Sequence, residues 1–149
     1  MSIFPTTVLL ATDGSEDAEL ATTTALELAK STSSELHIAL VEEPVYAYVD
    51  ASGYSFFDAE LDHELEKQAR MRLDAEVEKI RSAGVAVAQA HLRVGAAAAE
   101  IVDLAQEIGA GLIVMGSRGL GGIRRALMGS VSDSVVRHAH CPVLVVRHY

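Results

Sequence analysis

Five short apolar runs alternate with four stretches of helical periodicity, and this alternation constrains the fold more tightly than any other feature of the chain. The runs are Val8–Ala11, Leu36–Val41, Val85–Arg93, Leu112–Met115 and Val143–Val146. Each is continuous rather than alternating, as in strands covered on both faces, although the alanines of the third weaken its pattern. The first helix begins after Asp13-Gly14-Ser15, a turn with a built-in N-cap followed by acidic Glu16 and Asp17. Its face of Ala18, Ala21, Ala25 and Leu28 carries it to about Ser31. From Asp58 to Ser82, Leu61, Leu65, Ala69, Leu73, Val77 and Ile80 recur at three and four residues, and Gly84 caps this longest helix. A third helix spans Ala96 to Ile108 with Gly109 as its stop. A fourth spans Ser130 to Ala139, and Pro142 forbids its continuation. The order β-α-β-α-β-α-β-α-β predicts an α/β fold, a single-domain five-stranded parallel sheet with helices on both faces. Ligands of such sheets bind beyond the C-terminal strand ends, where the strand order reverses.

A chain of 149 residues, half of them hydrophobic, has room for one domain over 1–149. Twelve basic against twenty-one acidic residues leave a net charge of −9, which argues against nonspecific contact with nucleic acid or anionic membranes. The single cysteine, Cys141, cannot form an internal disulfide, and the N-terminal apolar run lacks the basic flank of a signal peptide. No apolar stretch approaches membrane-spanning length. A cytoplasmic protein is expected. Residues 45–57, with Tyr46, Tyr48, Tyr54, Phe56, Phe57 and Gly53, lack periodicity and read as a mobile loop. Its aromatics either close over a ligand or pack on a neighbouring surface.

The chemistry is concentrated between Gly116 and Gly129, where five of the eleven glycines fall. A buried strand precedes this run and a helix N-terminus follows it. Glycines let a backbone approach a ligand and adopt positive φ, and the first helix amides carry no intrahelical acceptor, so the segment suits a phosphate chain. Arg118, Arg124 and Arg125 add positive charge there, or serve as solvated loop residues. No glycine is followed by lysine, which excludes a Walker-type loop, and Arg124 stands where a dinucleotide loop would need its third glycine. His138-Ala-His140-Cys141 crowds three potential ligands into four residues, too close to surround one ion, and fits a helix end where histidine suits the dipole. No metal site and no catalytic residue are assigned.

The spacing Gly116-x-x-Gly119-x9-Gly129-Ser130 resembles the ATP-binding signature of the universal stress protein family. Val8-Leu-Leu-Ala-Thr-Asp13-Gly-Ser15 is similar to that family's opening strand and turn, and Cys141-Pro-Val-Leu-Val-Val-Arg147 to its closing strand. The resemblance implies the strand order 3-2-1-4-5, with the reversal between the strands that end at Asp13 and Gly116. It implies that Asp13 contacts the nucleotide, through ribose hydroxyls or a divalent cation; the residue alone reads equally as a turn aspartate bonding its own backbone. Ala11 and Thr12 line the pocket, Ala11 standing where the family often has proline. Val41 corresponds to the position whose backbone reads the adenine edge, and Met115 packs near the ribose or base. Gly116, Arg118, Gly119 and Gly129 form the phosphate loop. Ser130 and Ser132 lend hydroxyls, and the amides of Ser130, Val131 and Ser132 complete the cradle. Ser130-x-x-Asp133 also has the spacing of a capping box.

The resemblance thus implies a noncatalytic ATP-binding module, with magnesium as a possible companion, whose occupancy signals stress to a partner. Two alternatives use the same pocket: slow ATP hydrolysis, and preference for cyclic AMP or another adenine nucleotide. A homodimer is expected through Val143–Val146, an apolar edge strand that needs a cover.

Overall fold

A computed structural model of the chain describes residues 2–44, 48–49, 55–56, 59–117 and 129–147. In chain order the elements are β1 (Thr7–Ala11), α1 (Glu16–Thr32), β2 (Glu35–Glu42), β3 (Tyr48–Val49), β4 (Ser55–Phe56), α2 (Ala59–Ser82), β5 (Val87–Val94), α3 (Ala97–Ile108), β6 (Leu112–Gly116), α4 (Ser130–His138) and β7 (Val143–Val146). Five strands form one parallel sheet in the order β5-β2-β1-β6-β7. Numbered among themselves, these five stand as 3-2-1-4-5, the expected order.

Residue parity sorts the core into two layers. Val8, Leu10, Leu36, Ile38, Leu40, Leu112 and Val114 pack with Ala21, Ala25 and Ala29 of α1 and with Ala69, Leu73, Val77 and Ile80 of α2. The intervening Leu9, Ala11, Ala39, Ile113 and Met115 meet Ile101, Leu104 and Ala105 of α3 and Val135 of α4. Successive side chains of a strand leave on opposite faces, so a strand between two helical layers is apolar at nearly every position, buried His37 of β2 being an exception. This is why the runs are continuous in the sequence. Leu9 and Leu10 are both fully buried, and each such side chain contributes about 1.5–3 kcal/mol.

Three helices end in the same way. After α2, Gly84 takes φ +84°, its amide bonds the Arg81 carbonyl, and the Val85 amide reaches back to Ile80. That pair of bonds is a Schellman closure, and it holds Val85 outside the strand, so β5 starts at Val87 rather than at Val85. Gly109 closes α3 with the same two bonds, to Gln106 and, through Ala110, to Ala105. At α1 the left-handed residue is Ser33, φ 55°, which carries no glycine signal in the sequence.

Two further expectations change. Within residues 45–57, Tyr48–Val49 and Ser55–Phe56 pair antiparallel as a ribbon, β3 with β4, rather than forming loop throughout. Two-residue strands are too short to show a period in the sequence. The remaining residues of that segment lie outside the described residues. At α4, the N-cap is Gly129 and Ser130 is already the first helical residue, with no side-chain cap bond. The capping box therefore does not form, because its serine sits one position too late.

Candidate functional site

The strand order reverses at β1, whose neighbours are β2 on one side and β6 on the other. Ala11 is the last residue of β1 to pair with both, facing Ala39 and Met115. Beyond that rung β1 ends while β2 runs on to Glu42 and β6 to Gly116, and the crevice at such a reversal is where ligands of these sheets bind.

The β1 wall is a turn tied by its own side chains. The Thr12 amide bonds the Ala39 carbonyl at 2.9 Å, and Thr12 is 7% exposed. Thr12 Oγ1 accepts from the Gly14 amide at 3.2 Å, and Asp13 Oδ1 accepts from the Ser15 amide at 2.9 Å. Ser15 Oγ then accepts from the Ala18 amide at 3.2 Å, which caps α1. Gly14 takes φ +79°, a conformation that side chains disfavour. Asp13 is therefore engaged with its own turn, the local reading of that residue, while it remains partly exposed at the cleft mouth.

Val41 lies two residues past the last β1–β2 pair, opposite Arg93 of β5. Ala39 gives its carbonyl to Thr12, and backbone groups two apart in a strand point the same way. The amide and carbonyl of Val41 consequently face the β1 side, where β1 has ended.

The opposite wall is the end of β6 and the start of α4. Met115 is 5% exposed, and Gly116 pairs with Val146 of β7. Ser117, a residue the sequence reading passed over, is the junction. Its amide bonds Val146 at 2.9 Å, while its carbonyl accepts from the Gly129 amide at 2.6 Å and from Ser132 Oγ at 2.7 Å. This staple brings the two ends of the glycine loop together. A role carried by a main-chain carbonyl leaves no side-chain trace, so nothing in the sequence could have marked Ser117.

The staple also redirects Ser132. Its hydroxyl, buried in a residue 2% exposed, is directed at the Ser117 and Gly129 carbonyls rather than into the cleft. One hydroxyl has one proton, and here it is shared between these two carbonyls. Ser130 is exposed at the first turn, and Val131 packs partly against the α3–α4 layer. The amides of Ser130, Val131 and Ser132 precede the first in-helix bond of α4, from Asp133 to Gly129, and sit at the positive end of its dipole. Gly129 itself has φ −65° and ψ 162°, angles open to any residue, so of the two reasons for glycine here, close approach of a ligand or special backbone angles, the angles do not require it. Arg118 and Gly119, with Arg124 and Arg125, lie outside the described residues.

The register thus gathers Ala11, Thr12, Asp13, Val41, Met115 and Gly116 at one end of the sheet. The staple places Gly129, Ser130, Val131 and Ser132 at the end of β6. No helix among the described residues is long and apolar enough to cross a membrane.

Comparison with known proteins agrees with this architecture. The model of the universal stress protein family matches residues 5–147. A putative universal stress protein of Staphylococcus aureus (strain USA300) is 37% identical over 141 residues, 94% of this chain and 82% of the relative. A universal stress protein solved in complex with cAMP superposes with a TM-score of 0.71 at 27% identity, over 97% of this chain and 98% of the other. The universal stress protein of Archaeoglobus fulgidus in complex with dAMP gives 0.65 at 26% identity, over 97% and 99%. With the family model covering nearly the whole chain and the sheet order agreeing, the chain belongs to the universal stress protein family.

Proposed function

We propose that the chain is a noncatalytic ATP-binding module of the stress response, working in the cytoplasm, whose nucleotide occupancy is read by a partner protein. The observation that carries this reading is the start of α4. Three amides without an intrahelical acceptor stand at the positive end of a helix dipole, held at the strand-end cleft by the Ser117–Gly129 staple. A polyphosphate suits such a cradle, which Gly116 and Gly129 would border and to which the Ser130 hydroxyl would add one donor; Arg118 and Gly119 are assigned to the same phosphate loop by the family resemblance alone. Asp13 would meet ribose hydroxyls or a magnesium ion with its carboxylate. The outward backbone groups of Val41 would take the adenine edge, between Ala11, Thr12 and Met115.

Adenine as the base is supported by the two relatives solved with cAMP and dAMP. The first of these favours a second reading, a cyclic AMP receptor. Three consecutive helix amides favour the longer phosphate chain. The protein would pair with a second copy through β7, which is an edge strand of the sheet.

Mass spectrometry of small molecules released from the purified protein, followed by calorimetry, tests the ligand. ATP is expected to bind in the micromolar range, about −8 kcal/mol, and more tightly than cyclic AMP. Tighter binding of cyclic AMP would support the second reading. Turnover well below the roughly 1–100 per second of kinases is expected, because Asp13 is the one carboxylate assigned to the cleft. Rapid phosphate release lost in Asp13→Asn would make the chain an enzyme.

A further inference from the structure

Outside the cleft, on the sheet face covered by α3, two imidazoles meet across β2 and β5. His37 of β2 is 8% exposed and His91 of the edge strand β5 is half-buried. His37 lies opposite Gln89, so His91 is its diagonal neighbour. Nδ1 of His37 is 3.1 Å from Nε2 of His91, with the rings tilted by 13° and their centroids 5.4 Å apart. That separation is too large for face-to-face overlap, and the rings meet through a nitrogen–nitrogen hydrogen bond.

Charged groups surround the pair on three elements. Glu35 of β2 brings Oε1 to 3.5 Å from His37 Nε2. Arg93 follows His91 on the same face of β5 and is paired with Glu107 and, at 3.5 Å, with Glu100, both of α3. Proton counting then sets the behaviour of the pair. The neutral pair needs one hydrogen between the facing nitrogens. A first added proton fits on an outer nitrogen, such as the His37 Nε2 that faces Glu35, and leaves the bond intact. A second must enter the space between the rings, where two N–H groups would face each other beside a second positive charge.

We propose that the His37–His91 pair is an acid-operated latch between β2 and the edge strand β5, closed while it holds at most one added proton and opened by the second. Opening releases β5 together with the α3 surface that Arg93 ties to it. Burial, followed by the charges of His37 and Arg93, holds the His91 imidazole below the ordinary histidine range. The sign follows: the closed state binds the second proton less readily than the open state, so closure is favoured above about pH 6.5 and lost as the pH falls below it. The latch stands whether or not the cleft takes a nucleotide.

Ring-resolved NMR titration of the nucleotide-free protein between pH 8 and 4.5, paired with amide exchange, tests it. Exchange protection of β5 amides, corrected for intrinsic rate, is expected to fall about tenfold per pH unit as the second ring protonates, while β1 amides keep theirs. In His37→Phe and His91→Gln the β5 dependence should flatten. If both rings of the unaltered protein titrate independently near pH 6.5 and β5 protection ignores pH, the latch does not exist. The test on the unaltered protein decides even if both variants fail to fold.

Discussion

On the β1 wall of the cleft, Thr12, Asp13 and Ser15 each bond a backbone amide of their own turn or of the helix that follows it. On the α4 wall the side-chain bond of Ser132 holds the loop ends, while the amides of Ser130–Ser132 point out of the helix start without an in-helix acceptor. The first wall is closed by its own side chains, and the second presents main-chain donors beyond the reach of its own helix. The difference teaches that side chains hold the β1 turn while main-chain groups dominate the α4 start, with Ser132 bridging the two jobs, even though both walls are rich in serine and glycine.

Substitutions can break that division. The largest effect is expected from Gly129→Val, which should weaken ATP at least 100-fold, about 2.7 kcal/mol, in calorimetry. Its backbone angles tolerate valine, so the branched side chain acts by filling the space before the helix amides, and the folded state should persist. Next comes Ser132→Ala, which strips a donor from the buried Ser117 carbonyl. It should lower stability by about 1–3 kcal/mol in urea unfolding, and this variant should also bind ATP less well because the loop ends separate.

The smallest pair sharpens the comparison most. Ser130→Ala should cost about 1–2 kcal/mol of ATP affinity and leave the melting temperature of the nucleotide-free protein unchanged. Ser15→Ala removes the α1 cap and should cost about 1 kcal/mol of stability while ATP affinity holds. If the two phenotypes were exchanged, the division between the walls would be wrong.

Much of this was legible in the chain itself. Continuous runs such as Val8–Ala11 can be satisfied only between two helical layers, and Gly84 and Gly109 mark helix ends by a conformation few other residues adopt. The end of α1 was blurred because Ser33 takes the left-handed position without being glycine. The ribbon of β3 and β4 escaped because two residues cannot display a period. The places of Asp13 after β1, Gly116 at the end of β6 and Gly129 before α4 could be read from type and spacing, while their assignment to a nucleotide rests on the family resemblance. Ser117 could not, since its carbonyl does the binding, and the hydroxyl of Ser132 was assigned to a ligand because its backbone partner is fifteen residues away in the chain.

The central claim is that the start of α4 receives the phosphates, and amide-resolved NMR during an ATP titration tests it most directly. The account predicts that the amides of Ser130, Val131 and Ser132 shift furthest, while those of Gly14 and Ser15, already bonded within their turn, move little. Saturable ATP binding that leaves the three α4 amides unmoved would contradict it.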